Sequence, residues 1–117
     1  MTDTMPDCIF CKIVSGQIKS ERVLEDERGI AIRDINPTAP THVLVIPREH
    51  IPTIAEMTPA QEALVGHLMA LANAVARREG VAGAGYRLVV NCGPDSGMEV
   101  SHLHVHVLGG HRLGRMG

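Results

Sequence analysis

"SHLHVHVLGG", Ser101 to Gly110, puts three of the chain's seven histidines at every second position of an apolar run. In an extended strand successive side chains point to opposite faces, so His102, His104 and His106 share one face and Leu103, Val105 and Val107 the other. The apolar face seats the strand on a core. The other face is a row of imidazoles spaced roughly 6.8 Å apart. A single histidine there reads as an ordinary polar position of a half-buried strand, or as a core imidazole satisfied by a backbone carbonyl. Three in register point to chemistry, because histidine titrates near neutral pH and serves as nucleophile, proton carrier or metal ligand. One metal held by all three is geometrically poor: His102 and His106 stand roughly 13 Å apart along such a strand, and each ring reaches about half of that. The row therefore reads as several functions side by side.

Upstream, "GYRLVVN" predicts a partner strand, joined to the histidine strand through "CGPDSGMEVS". Before it, Thr58 opens a helix with Pro59 in the first helical position and Gln61 completing a capping box, and Gly80 closes it. Leu64, Leu68, Leu71 and Val75 recur at helical spacing and give this helix one apolar stripe, with His67 off the stripe as a surface residue without a role. "RVLEDERGIAIRDI" predicts two strands joined at a tight turn around Glu27 to Gly29, and "HVLVIP" a third stopped by Pro47. "DINPTAPTH" between them is an extended loop. "CIFCKIVSG" predicts a short helix closed by Gly16 with Phe10, Ile13 and Val14 turned inward, after a mobile leader at Met1 to Asp7. The order β-β-β-α-β-β predicts an α+β fold: a five-stranded antiparallel sheet with one long helix and a short N-terminal helix. An exposed edge strand favours pairing two such sheets in a homodimer.

The 117 residues make one domain, large enough to bury a core without covalent staples. With 11 basic and 13 acidic residues, one Phe, one Tyr and no Trp, the chain has neither the basic stripe nor the aromatic platform of a nucleic-acid binder. A free nucleotide stays open, since a few local donors hold one phosphate. No signal-peptide profile and no membrane-length apolar run is present, and three cysteines, Cys8, Cys11 and Cys92, suit a reducing compartment, so the expected location is the cytoplasm. Cys8 and Cys11 form a C-x-x-C that fits a redox pair, two buried thiols or half of a zinc site. His50 and His102 are plausible completions of a tetrahedral set, but spacing alone does not select them.

"HLHVHVLGG" resembles the signature of the histidine triad (HIT) superfamily, His-φ-His-φ-His-φ-φ with φ apolar. "CIFCKI", "RDINPTAPTHVLVIPREHI" and "GYRLVVNCG" extend the similarity over nearly the whole chain, and "PTHVLVIP" with "HVLGG" is similar to its Hint branch of nucleoside phosphoramidases, of the zinc-containing bacterial type. The resemblance implies an enzyme that attacks the α-phosphate of a purine nucleoside 5'-phosphoramidate or related adenylate, with AMP-like nucleotides as ligands. His104 is then the nucleophile that forms a covalent nucleotidyl-histidine, His106 the donor to the phosphate oxygens, and His42 the fourth histidine of the hydrogen-bond network. It also implies a structural zinc on Cys8, Cys11, His50 and His102. Asp34 matches the acceptor of the ribose hydroxyls, against an Asx-turn before Pro37 as its plainer role. Phe10, Ile13, Ile32 and Ile35 match the apolar wall around the base, and Asn91 and the backbone of Gly97 match phosphate-side contacts. The chain departs from the family pattern at Met98, where a glutamine is common, and at Glu99, where some relatives carry serine toward the leaving group. Met98 keeps open a nucleotide-binding regulatory module with little turnover, a dinucleoside polyphosphate hydrolase is the alternative among enzymes, and the short tail from Gly110 to Gly117 has no assigned role.

Overall fold

The structure, a computed structural model, describes residues 7–116. All of the expected leader but Asp7 therefore lies outside the described residues. Helix α1 (Ile9–Val14) leads into strands β1 (Arg22–Glu25), β2 (Gly29–Arg33) and β3 (Thr41–Pro47), then helix α2 (Glu62–Arg78), then strands β4 (Tyr86–Val89) and β5 (Val105–Gly109). The strands form one antiparallel sheet in the order β1-β2-β3-β5-β4. The expected α+β architecture is present. β5 is inserted between β3 and β4, which leaves β1 and β4 as the edges.

Alternation sorts the side chains into two layers. Ala31, Val43, Val45, Val105 and Val107 join Leu68, Leu71, Ala72 and Val75 of α2 in one buried cluster. Ile30, Ile32, Leu44 and Ile46, one residue out of step, face the other way and bury Phe10 and Ile13 of α1. Both faces of β3 are thus covered, which is why all seven of its residues are buried. His42 keeps step with Leu44, and His106 lies opposite Leu44 in the ladder. The face that carries His42 and His106 is therefore the α1 face, and α2 braces the sheet from behind.

The turns follow local chemistry. The Asp26 carboxylate accepts from the backbone N–H of Arg28 and Gly29 and closes the β1–β2 turn. Thr58 heads a 3-10 turn, Pro59–Gln61, and α2 proper begins one turn later than the capping signature suggests. Gly80, at φ +75°, ends α2, with Val81 N–H donating to the Ala76 carbonyl. Among the described residues no helix is long and apolar enough to cross a membrane.

The last strand is shorter than "HLHVHVL" predicts. Its ladder with β3 runs only from Val45–Val105 to Thr41–Gly109, so His102 and His104 precede the strand. Two residues beyond Val45, β3 reaches Pro47, which has no N–H to donate, and the chain turns away. Leu103 N–H instead donates to the carbonyl of Ile51 at 2.6 Å. His102, Leu103, His104 and Val105 are all buried, so the clean two-face alternation begins only within β5.

Candidate active site and metal centre

At the N-terminal end of α1, Cys8 caps the helix with its sulfur, which accepts from Cys11 N–H at 3.4 Å. One helical turn thereby puts both thiols on the same side. His50 arrives from the segment after β3 and His102 from the segment before β5. Cys8 Sγ lies 3.3 Å from His102 Nδ1, and Cys11 Sγ lies 3.3 Å from His50 Nδ1 and 3.6 Å from His102 Nδ1. The two Nδ1 atoms are 3.1 Å apart. Around a tetrahedral zinc, two nitrogens stand about 3.3 Å apart and a nitrogen and a sulfur about 3.6 Å apart. The cluster matches that tetrahedron closely.

The proton inventory also fits a metal. His102 Nε2 donates to the Pro47 carbonyl at 2.9 Å, which leaves its Nδ1 as a bare lone pair. Burial, partly offset by that carbonyl, pushes His102 down to about 4, so its ring is neutral at ordinary pH. Such a lone pair beside a second imidazole nitrogen and two sulfurs suits a soft divalent cation of zinc type.

The other histidines form a chain in which each contact fixes the next tautomer. Thr38 N–H donates to His42 Nδ1 at 3.1 Å, so His42 carries its proton on Nε2. That atom lies 2.9 Å from His106 Nδ1 and 3.3 Å from Asp34 Oδ2. His106 Nδ1 accepts, so His106 carries its proton on Nε2. Among the described residues this buried Nε2 has no hydrogen-bond partner. A buried donor without an acceptor costs on the order of 1–3 kcal/mol, and at a functional site it marks where a ligand's oxygen belongs. Asp34, His42 and His106 are close enough to suggest a second metal position, but the Thr38 amide keeps the proton on His42 Nε2 and makes them a hydrogen-bond relay.

His104 has the opposite polarity. Its Nδ1 donates to the His102 carbonyl at 2.7 Å, so the lone pair is on Nε2. The His104 and His106 rings lie 5.0 Å apart between centroids. Side by side, one offers a lone pair and the other an N–H. A nucleophile next to a donor for developing negative charge is an arrangement suited to attack on phosphorus or carbonyl.

Burial, then His104 and His42, push His106 from its ordinary 6.5 down to about 4, with Asp34 opposing. Burial likewise lowers His42, against Asp34. A histidine depressed in the folded state binds fewer protons than in the unfolded chain. Its contribution to stability is therefore complete above pH 6.5 and is lost as the pH falls toward 4. We expect urea unfolding of the wild type to lose on the order of 2 kcal/mol more between pH 7 and pH 4 than the His106→Asn variant loses. Equal losses in the two proteins would contradict it.

The expected pocket residues fall in different places. Phe10, Ile13 and Ile32 are buried together beneath the histidines. Ile35 is 91% exposed and belongs to neither apolar cluster, because it sits at the tip of the loop after Arg33. Asp34 takes the plainer of its two expected roles: Oδ1 accepts from Asn36 N–H at 2.8 Å in an Asx-turn, and Oδ2 lies 3.3 Å from His42 Nε2. Gly97, at φ +82°, closes a short turn by donating its N–H to the Pro94 carbonyl at 3.0 Å. That N–H is engaged, so a phosphate contact through it requires the turn to open. Asn91 is half-buried, and Glu99 is exposed.

Two contacts had no sequence signal. Thr38 acts through its backbone, which no side-chain pattern reports. His67, expected on a bare surface, lies 2.6 Å from Asp26 Oδ2 and ties α2 to the β1–β2 turn.

The HIT domain profile matches residues 15–113 of the chain. The purine nucleoside phosphoramidase of Escherichia coli K12 is 43% identical over 110 residues, covering 94% of this chain and 92% of that protein. Among solved structures, the HIT family hydrolase from Clostridium thermocellum superimposes with a TM-score of 0.93 at 46% identity, covering 97% of this chain and 98% of that one. A zinc-bound histidine triad family protein from Mycobacterium smegmatis gives a TM-score of 0.78 at 32% identity, covering 88% of this chain and 74% of that one.

Proposed function

The chain belongs to the HIT family of hydrolases, and from that membership and its paired imidazoles we propose that it cleaves purine nucleoside 5'-phosphoramidates or related adenylates at the α-phosphorus. The observation that carries the reading is the buried, partnerless His106 Nε2–H beside the free lone pair of His104. In the first step His104 Nε2 attacks phosphorus, the P–N bond of the substrate breaks, and the amine leaves with a proton drawn from solvent. His104 keeps its Nδ1 proton on the His102 carbonyl and becomes a nucleotidyl-histidine. Water then attacks phosphorus, the bond to His104 breaks, and the nucleoside monophosphate departs.

Charge grows on the phosphate oxygens in both steps, and His106 Nε2–H donates to it. His42 assists through its link to His106, and the Thr38 amide keeps that link in the right tautomer. Phe10, Ile13 and Ile32 supply the apolar floor for the base, and Asp34 accepts from the ribose hydroxyls with the lone pairs left by its Asx-turn. Cys8, Cys11, His50 and His102 hold one zinc ion whose part is structural. The protomer pairs with a second copy as a homodimer.

The test is adenosine 5'-phosphoramidate, quenched early and analysed by mass spectrometry. An adenylate mapped to His104 and release of AMP are expected. Binding without adduct or product in a folded sample would reduce the protein to a nucleotide-binding module, and faster cleavage of dinucleoside polyphosphates would move the substrate class.

A further inference from the structure

We propose that the Cys8, Cys11, His50 and His102 cluster is a positioning device for His104: a divalent metal in the cluster fixes which nitrogen of His104 bears the proton and how its ring is turned. This rests on the reading of His104 as nucleophile. Two routes connect the centres. His102 aims its Nδ1 at the cysteines while its own carbonyl accepts the Nδ1–H of His104 at 2.7 Å. One residue is thus shared, and the backbone torsions that set its ring also set that carbonyl. The second route runs through α1. Phe10 sits between the two cysteines, and its ring meets His102 edge-on at 5.9 Å and His104 edge-on at 5.1 Å and 85°.

Among the described residues the sheet reaches this segment through the Pro47 carbonyl at the end of β3, which accepts from His102 Nε2–H and leaves the His102 carbonyl to His104. The β3–β5 ladder begins at Val105, so neither the His102 carbonyl nor the His104 ring is held by strand pairing. The local anchor is Leu103 N–H on the Ile51 carbonyl, and Ile51 directly follows His50, itself in the cluster. The segment that bears the nucleophile is therefore held from its neighbours on both sides, and the common element is the four-residue cluster. A divalent cation sets all four donor atoms at metal–ligand distances, whereas without it the Cys8 and Cys11 thiols offer the His102 and His50 Nδ1 atoms only weak S–H donors. The ion therefore holds the His102 ring, and with it the carbonyl acceptor for His104, more tightly than the thiols do.

The experiment uses full-length protein with ¹⁵N-labelled histidine, in which long-range N–H correlations report each imidazole tautomer without substrate. Zinc-loaded protein is expected to show His104 as a single Nδ1–H tautomer. Cadmium, a larger ion in the same folded protein, is expected to shift the His104 nitrogens while those of His67, across the molecule, stay in place. In Cys8→Ala, His104 becomes a tautomer mixture and kcat for the phosphoramidate falls on the order of 10²-fold with little change in KM, as for a displaced reacting group. Cys8→His, which restores a zinc ligand, recovers both signals. His104 nitrogens identical in the zinc and cadmium forms would overturn the proposal, as would a folded Cys8→Ala with wild-type His104 signals. A locked His104 in a protein that turns over no phosphoramidate would sink the catalytic reading and leave the coupling standing.

Discussion

Replacing His104 with alanine is expected to lower kcat for adenosine 5'-phosphoramidate on the order of 10⁴-fold or more, because no other side chain of the site can take over the covalent step. The asymmetry between the two imidazoles is the reason. His104 presents a lone pair because the His102 carbonyl holds its proton on the far nitrogen. His106 cannot stand in, since His42 fills its Nδ1 and its Nε2 bears hydrogen. Single-turnover kinetics with mass spectrometry reads the effect directly: the variant binds AMP, retains its thermal transition, and forms no adduct. His104 is 7% exposed, so alanine leaves a buried cavity and some stability is lost, and the cooperative transition of the variant separates that loss from the loss of chemistry. Retained turnover within tenfold of the wild type would rule out a covalent His104 intermediate.

Removal of metal is the second large effect. Protein purified without chelator is expected to carry about one zinc per chain, since the donor atoms of the four side chains all lie within 4.8 Å of one another. Stripping it is expected to lower the melting temperature by about 10 °C or more, because a ligand bound only by the native state adds its binding free energy to folding. The segment most exposed to this loss is α1. Its six residues are too few to stay helical alone, and they are held by the cluster, by Phe10 and Ile13, and by Arg22 Nη2 donating to the Ile13 carbonyl. Calorimetry and metal analysis with and without chelator check both parts. Metal-free protein with an unchanged transition would refute the structural zinc, and a Cys8–Cys11 disulfide in its place would favour the redox reading of the C-x-x-C.

The two faces of the sheet were legible because strand alternation is local. Val43, Val45, Val105 and Val107 are out of step with His42, Leu44 and His106 by one residue, and no tertiary information is needed to see it. The same holds for α2, whose stripe and terminal Gly80 are short-range signals. The pattern misled where a local rule met a long-range competitor. His102 and His104 keep the strand period in the sequence but leave the strand, because Pro47 ends the partner ladder and the Ile51 carbonyl captures Leu103 N–H. The partner of His67 has no local signal, because Asp26 is 41 residues away and enters through the turn it closes.

By itself the sequence determined the α+β class and the histidine face, which residue type and period carry because each depends on neighbours within a few positions. The residue sets for metal and phosphate came from the resemblance to the HIT superfamily and not from spacing. The tertiary structure decided the division of labour among the imidazoles. Which nitrogen of each ring bears a proton depends on backbone groups that no motif records: the Thr38 amide for His42, the His102 carbonyl for His104 and the Pro47 carbonyl for His102. Hydrogen bonds of this kind join residues brought together only when the sheet closes, so chemically identical imidazoles come to differ in which nitrogen carries the proton only in the folded protein.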